Sequence, residues 1–423
     1  TACLVIGLWL TIPRSTSVGS GAEFSADPAV DFSSAEIEAG DRLSNRLQLA
    51  GFSGLAVGLA LAVVLGFWPF GARIVESVAR PLGGAWWVQV LLGGLVILLI
   101  VRMCTLPFAA WSESVRRDVG LSTRDWSGWA IDVAKGFGVN SLLTLTTLLA
   151  LVALARRLPN WWWVGASVGA ALLVVVVSFA YPLVVEPLFN KFTPMADGAL
   201  RTSLLDLAKE DGVAVDDVLV ADASRRTSSL NAYVSGFGST RRVVVYDTLL
   251  HQASDAEIRS VVAHELGHAK QNDVVTGTLL AALGAAAAVV ALYLLMTWQA
   301  FPQHAGVTGV ADGRVVAVLL ALIAVTTLLT APIQNWASRQ IEARADTHAL
   351  DLTRDPTTFT KMQRRLALAA KSDLTPNPIV FAWFGSHPTT AQRMAAARNW
   401  AAGHDVPVPP PLAPVVSTDS AGG

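Results

Sequence analysis

Charge is scarce in this chain. Only 15% of its 423 residues are Asp, Glu, Lys or Arg, whereas 53% are hydrophobic and the mean hydropathy is +0.49. A soluble domain carries charge on about a quarter of its residues, so this composition excludes an ordinary water-soluble enzyme and points to a chain that crosses a bilayer several times. The charges nearly cancel, leaving a net charge of -1 and a pI near 6.6, so there is no basic field to gather nucleic acid, and none is expected as a partner. Cysteine is rarer still. Cys3 and Cys104 both stand in apolar stretches, which excludes a disulfide framework and a thiolate metal site. No repeat of fixed period is evident.

What is abundant is long apolar sequence. A hydrocarbon core about 30 Å thick needs about 20 apolar residues per helix, and six runs approach that length, at residues 49–70, 86–107, 139–154, 162–181, 274–298 and 315–333. A seventh, residues 2–12, is shorter; it reads as a first span entered part-way, with a signal-peptide core as the alternative. The implied organisation is a first span over residues 1–13, a polar loop over 14–47, four spans with their loops over 48–185, and the first part of a polar domain over 186–273. Two further spans occupy 274–334, the second part of the polar domain 335–403, and a disordered Pro-rich tail 404–423. With seven spans and the polar domain inside, Arg14, Arg42, Arg46, Arg116, Arg117, Arg124 and Lys135 fall on the inner side. Arg73, Arg80, Arg156, Arg157 and Arg314 fall outside, so the excess of positive charge places the polar domain in the cytosol, at the plasma membrane for a bacterial chain. Trp86, Trp87, Trp161, Trp162, Trp163, Trp298 and Trp336 sit at predicted span ends, as interfacial anchors do, and Arg102 reads as a snorkelling side chain.

Inside the polar stretch, residues 241–246 (RRVVVY) read as a strand. Ser254, followed three positions on by Glu257, forms a capping-box pattern that opens a helix over Asp255–Lys270. That helix carries His264-Glu265-Leu266-Gly267-His268. A spacing of four puts both imidazoles on one helix face, where they can bind one zinc ion per chain, and Glu265, about 100° round the helix, can reach a water beside it. The bland alternative is a surface helix that happens to carry these residues, but with seven His in the chain this spacing is uncommon by coincidence. A third ligand must come from elsewhere, with Glu342, Asp346 and His348 as candidates. Glu342 and Asp346 share a face of a predicted helix, which suits Glu342 as ligand and Asp346 as the group that orients an imidazole, with His348 pointing away. The alternative for this acidic pair is a solvated helix face.

Taken in order, further segments accompany this motif: LPFAAWSESVRRDVGLSTRDW at 106–126 with Asp132 and Lys135 after it, EPLFNKFTPMADGAL at 186–200, SSLNAYVSGFGSTRRVVVYDTLL at 228–250, and His387-Pro388. This set resembles the type 1 CAAX prenyl endopeptidases, seven-span zinc metalloproteases of the endoplasmic reticulum and of bacterial membranes. The resemblance implies an all-α membrane protein whose roughly seven transmembrane helices enclose a zincin-like metalloprotease domain with a small β element. It implies His264, His268 and Glu342 as zinc ligands, Glu265 as general base, Asp346 behind a ligand, His387 as the hydrogen-bond donor to the oxyanion, and Arg393 as a nearby basic residue. Asn231, Ala232 and Tyr233 match the segment bordering the substrate groove, where an extended peptide would add to the strand ending near Val234. Read without the resemblance, His387 is a neighbour of a helix N-cap and Asn231 a turn residue. The implied partners are a peptide or protein substrate, lipidated ones among them, and the lipid bilayer. The sequence departs from the family in its short first span and in the Gly-rich GFGS at 236–239. Rival readings are a heat-shock-type quality-control metalloprotease, expected to have fewer spans, and, from other classes, a transporter or a non-catalytic zinc- or peptide-binding membrane protein.

Overall fold

The computed structural model describes residues 24–412 except residue 237, so the expected first span at 2–12 and the end of the tail lie outside the described residues. Among those described, six helices are long and apolar enough to cross a membrane: Ser34–Phe67 (α1), Trp86–Asp118 (α3), Trp126–Arg157 (α4), Trp162–Leu188 (α5), Asp273–Thr297 (α9) and Gly313–Thr353 (α10). A shorter helix, Phe70–Ala79 (α2), lies between the first two. Their apolar side chains are largely uncovered by protein, for example Leu142, Leu172 and Leu294, which is the pattern expected where lipid is the neighbour. Direction alternates along the chain, so that loops 119–125, 189–272 and the region after Thr353 share one side with the start of α1.

The spans pack in two groups. α5 runs along α9, while α1 runs along both α3 and α10. The α1–α10 approach needs Gly66, because a Cβ there would lie 2.2 Å from that of Ala321. The interfacial reading suits Trp87, Trp161 and Trp298, which are exposed, but not Trp162, which is buried, or Trp163, whose ring stacks on Tyr293 at 5.3 Å. Those two lock helices together.

Two sequence expectations need correction. Residues 14–47 are not a loop throughout: α1 begins at Ser34, behind a capping box in which Ser33 and Glu36 bond each other's backbone N–H. Its first turns leave the apolar zone and dock on the polar domain, where Arg364 pairs with Glu36 at 2.7 Å and Ser44 donates to Asp373 at 2.7 Å. Hydropathy ends where polar residues begin, but a helix does not. Likewise the expected boundary between residues 334 and 335 falls inside α10, which runs unbroken through Pro332 from the membrane span to the residues that follow. One rigid rod thus connects the bilayer to Glu342.

The polar domain holds a four-stranded sheet in the order β1-β2-β4-β3: Phe192–Pro194 (β1), Asp217–Ala221 (β2), Ala232–Ser235 (β3) and Arg242–Tyr246 (β4). β2 and β4 are parallel, the other pairs antiparallel, and β3 is an edge strand. The helices Ala199–Glu210 (α6), Asp247–Gln252 (α7), Asp255–Lys270 (α8), Pro356–Ala370 (α11), Pro378–Phe384 (α12) and Thr390–Gly403 (α13) complete the domain. Val243 and Val245 of β4, Ile258, Val262 and Leu266 of α8, Phe359 and Met362 of α11 and Trp400 of α13 form one buried core. Each such side chain contributes about 1.5–3 kcal/mol by leaving water, so α8 is anchored by its apolar stripe and its other face is presented at a fixed orientation. The expected disordered tail is corrected for residues 406–412: Arg398 donates to the carbonyls of Pro409 and Pro410, and Leu412 N–H to Asp31.

Candidate metal centre

The capping box of Ser254 and Glu257 starts α8 as expected, and Arg365 pairs with Glu257 from α11 at 2.9 Å. Opposite the anchoring stripe, the Nε2 atoms of His264 and His268 stand 3.2 Å apart. Glu342 reaches in from α10, with its carboxylate oxygens 3.2 Å from His264 Nε2 and 3.7 Å from His268 Nε2. One ligand atom from each of the three lies within 4.8 Å of the others. Glu342 Oε2 is buried with no aligned hydrogen-bond donor. Two imidazole nitrogens and a carboxylate facing one point without a donor between them form a set suited to a divalent metal, and His₂Glu is a donor set that catalytic zinc uses.

Behind the ligands, the expected role of Asp346 has a matching geometry: its Oδ1 lies 2.9 Å from His264 Nδ1. Arg393, on the first turns of α13, pairs with both oxygens of Asp346. Burial pushes the His264 pKa down, but the adjacent carboxylates of Asp346 and Glu342 outweigh that and leave it raised to about 9. Glu265 projects beside the pair, half-buried, and burial raises its carboxyl above the ordinary range although the neighbouring His264 and His268 oppose this. His387 Nε2 lies 3.3 Å from Glu342 Oε1, and its Nδ1 is 2.9 Å from Ser386 Oγ. Its segment is held on α10 by Asn335, which donates to the Trp383 carbonyl, and by Arg339, which donates to Gly385. The bland reading of His387 also has its counterpart, since Thr389 two residues on is the N-cap of α13. His348 turns away, bonding Asp211 at 3.0 Å. Its Cβ crowds Gly267, where an added Cβ would sit 3.1 Å from it, so the small residue inside the HELGH motif lets α8 and α10 approach closely.

Sequence reasoning missed Asp273. Asn272, in the left-handed region at φ 54°, breaks α8 from α9, and the turn brings Asp273 Oδ2 to 2.9 Å from His268 Nδ1, with Arg344 paired to its other oxygen. Each imidazole therefore has its own carboxylate, and each carboxylate its own arginine. The available signal was an acid just beyond the motif at a helix break. Such partners fix the ring and typically contribute 10–100-fold to metal affinity. Asp273→Asn is expected to weaken metal affinity by about that factor, measured by competition with a chromogenic chelator; unchanged affinity would remove Asp273 from the site.

The groove residues separate. Ala232 is buried in the core, the Tyr233 hydroxyl donates to Glu186 at 3.0 Å, and Asn231 is exposed, its carbonyl accepting from Tyr246 N–H. What this segment offers a peptide is the free main-chain edge of β3, which packs beside α8.

Comparison with known proteins places this geometry among relatives. Residues 194–401 match peptidase family M48, and residues 44–191 match the family described as CAAX prenyl protease N-terminal, five membrane helices. The chain is 28% identical to the uncharacterized metalloprotease YhfN of Bacillus subtilis over 88% of each chain. It is 31% identical to a CAAX prenyl protease 1 homolog of Oryza sativa subsp. japonica over 72% of each, and 30% identical to one of Arabidopsis thaliana over 70% of each. The crystal structure of S. mikatae Ste24p superposes with a TM-score of 0.74 at 21% identity, covering 94% of this chain and 96% of that one, a likeness of fold.

Proposed function

We propose a zinc-centred mechanism from the premise that this chain belongs to the type 1 CAAX prenyl protease family within peptidase family M48, and is therefore a multi-pass membrane metalloprotease. The observation that carries the proposal is the convergence of His264 Nε2, His268 Nε2 and the Glu342 carboxylate, with a carboxylate on each outward Nδ1. These three side chains would hold one zinc, which when bound polarises a carbonyl and acidifies a water. Asp346 and Asp273 accept the Nδ1 protons of the two imidazoles and so leave both Nε2 lone pairs directed inward. Arg393 and Arg344 pair with those carboxylates and hold them in place. Glu265 accepts the proton of the attacking water and passes it to the leaving amine nitrogen; burial raises its carboxyl, which makes the carboxylate a stronger base for the first of these transfers. A Ser386 hydroxyl that donates to His387 Nδ1 sets the tautomer with its proton on Nε2, the nitrogen turned toward the ligand carboxylate and placed to donate to the oxyanion. The edge of β3 pairs with an extended peptide by main-chain hydrogen bonds.

The substrates we propose are peptides and proteins presented at the membrane, prenylated ones among them. The distribution of arginine supports a cytosolic polar domain at the plasma membrane of a bacterial cell. The six spans and the match to the five-helix N-terminal family favour this branch over the heat-shock type. Removing zinc from detergent-purified protein with a chelator should abolish cleavage of a quenched peptide library, and added zinc should restore it. Cleavage that survives complete metal removal would refute the zinc mechanism.

A further inference from the structure

Away from the metal centre, two connected cavities of about 870 and 470 Å³ open between α3, α4 and the polar domain, sharing Arg124, Asp132, Phe189 and Arg226. Their walls are cationic: Arg102, Arg124, Lys135, Lys191, Arg225 and Arg226 face only two lining carboxylates, Asp125 and Asp132. Arg124 is fully engaged by Glu113 and Asp132. The others are not neutralised to the same degree. Lys135 donates to the Leu188 carbonyl at 2.9 Å, Arg225 and Arg226 both donate to the Phe189 carbonyl, and the nearest carboxylate to Arg226 is 3.8 Å away. Arg225 has Asp222 at 3.4 Å. Arg102 Nε is buried with no hydrogen-bond partner.

Depth identifies the ligand. At 1.5 Å per residue, Arg102 lies about 24 Å along α3 from Trp86, Asn140 about 26 Å along α4 from Arg157, and Lys135 about 33 Å from the same end. A hydrocarbon core is about 30 Å thick, with headgroup layers of several ångströms beyond it. The cationic walls therefore straddle the boundary between acyl chain and headgroup in the leaflet beside the polar domain. Ile131 and Leu188 line the mouth while remaining half-exposed, and Leu142 lies exposed further along α4 toward the bilayer centre, where an acyl chain would run. We propose that this pocket binds the phosphate of an anionic phospholipid, with Lys135, Lys191 and Arg226 at the headgroup and Arg102 at its inner edge. Basic pockets between membrane helices bind such headgroups, each cation near the surface favouring the anion.

The full chain, reconstituted into nanodiscs of phosphatidylcholine mixed with phosphatidylglycerol and then extracted into neutral detergent, should retain phosphatidylglycerol in preference to phosphatidylcholine by native mass spectrometry. In Lys135→Gln/Lys191→Gln that preference should fall by about tenfold or more, with peptide cleavage in pure phosphatidylcholine unchanged, and glycerol phosphate in solution should not compete. Arg102→Gln, which removes a side chain whose Nε has no hydrogen-bond partner, provides a second variant should the double one fail to fold. Equal retention of both lipids by the wild type, or an undiminished preference in the variants, would overturn the proposal. Competition by glycerol phosphate would assign the pocket to soluble phosphates instead. Unchanged lipid retention with a KM raised only for peptides ending in a free carboxylate would assign it to the substrate terminus.

Discussion

Glu265→Gln is expected to lower kcat for peptide cleavage by about 10²–10⁴-fold, the range that positioned proton transfer contributes, while leaving zinc content unchanged. The asymmetry is the informative part. Glutamine preserves the volume of the half-buried side chain but cannot accept a proton, whereas the proposed ligand set, His264, His268 and Glu342, does not include it. The comparison needs both readouts on one preparation, cleavage by steady-state kinetics and metal by elemental analysis. Loss of metal together with activity would make Glu265 a structural member of the site, and retained activity would exclude it as the base.

A second large effect is expected far from the chemistry. Arg398 and Asp31 form an ion pair that is almost fully enclosed, Nη1 donating at 2.8 Å, while Arg398 Nε and Nη2 also donate to the Pro409 and Pro410 carbonyls. Arg398→Met leaves a buried carboxylate without its counter-charge, which costs about 3–5 kcal/mol in comparable sites. The thermal midpoint of the detergent-solubilised protein should fall measurably, and residues 406–412 should become susceptible to proteolysis. The double variant Asp31→Asn/Arg398→Met should recover part of the loss, because the orphaned charge is gone. A single variant as stable as wild type would mean that the Asp31 carboxylate is not left buried and unpaired when Arg398 is removed, contrary to this account.

These two sites also mark what the sequence does and does not disclose. The helix that carries His264 and His268 was legible because its signals are local: the capping box of Ser254 and Glu257, the spacing of the two histidines, and on the facing helix the acidic pair of Glu342 and Asp346 each lie within a turn or two of helix. The membrane spans were legible for the same reason, since a bilayer demands an unbroken apolar run. Asp273 was missed because its role depends on the left-handed turn at Asn272, which carries the chain back onto His268. Only one strand of the sheet stood out, as RRVVVY with its three consecutive valines; β1 and β3 are only three and four residues long, and β2 (DVLVA) has no such unbroken β-branched run. The helical start of α1 and the ordered 406–412 segment were hidden for another reason. Both are held by contacts more than 300 residues away in sequence, Arg364 with Glu36 and Leu412 with Asp31, and composition carries no trace of such pairings. The boundary inside α10 was misplaced because hydropathy reports the solvent around a helix and not the helix itself.

The central claim is that His264, His268 and Glu342 hold one catalytic zinc, and elemental analysis of the purified full chain beside its Glu342→Ala variant tests it most directly. About one zinc per chain in the wild type, substantially depleted in the variant after dialysis against a weak chelator, with a preserved thermal midpoint in metal-free buffer to show that both are folded, is the predicted result. Wild-type protein that cleaves peptide without stoichiometric metal, or a Glu342→Ala variant that keeps its zinc, would contradict the account.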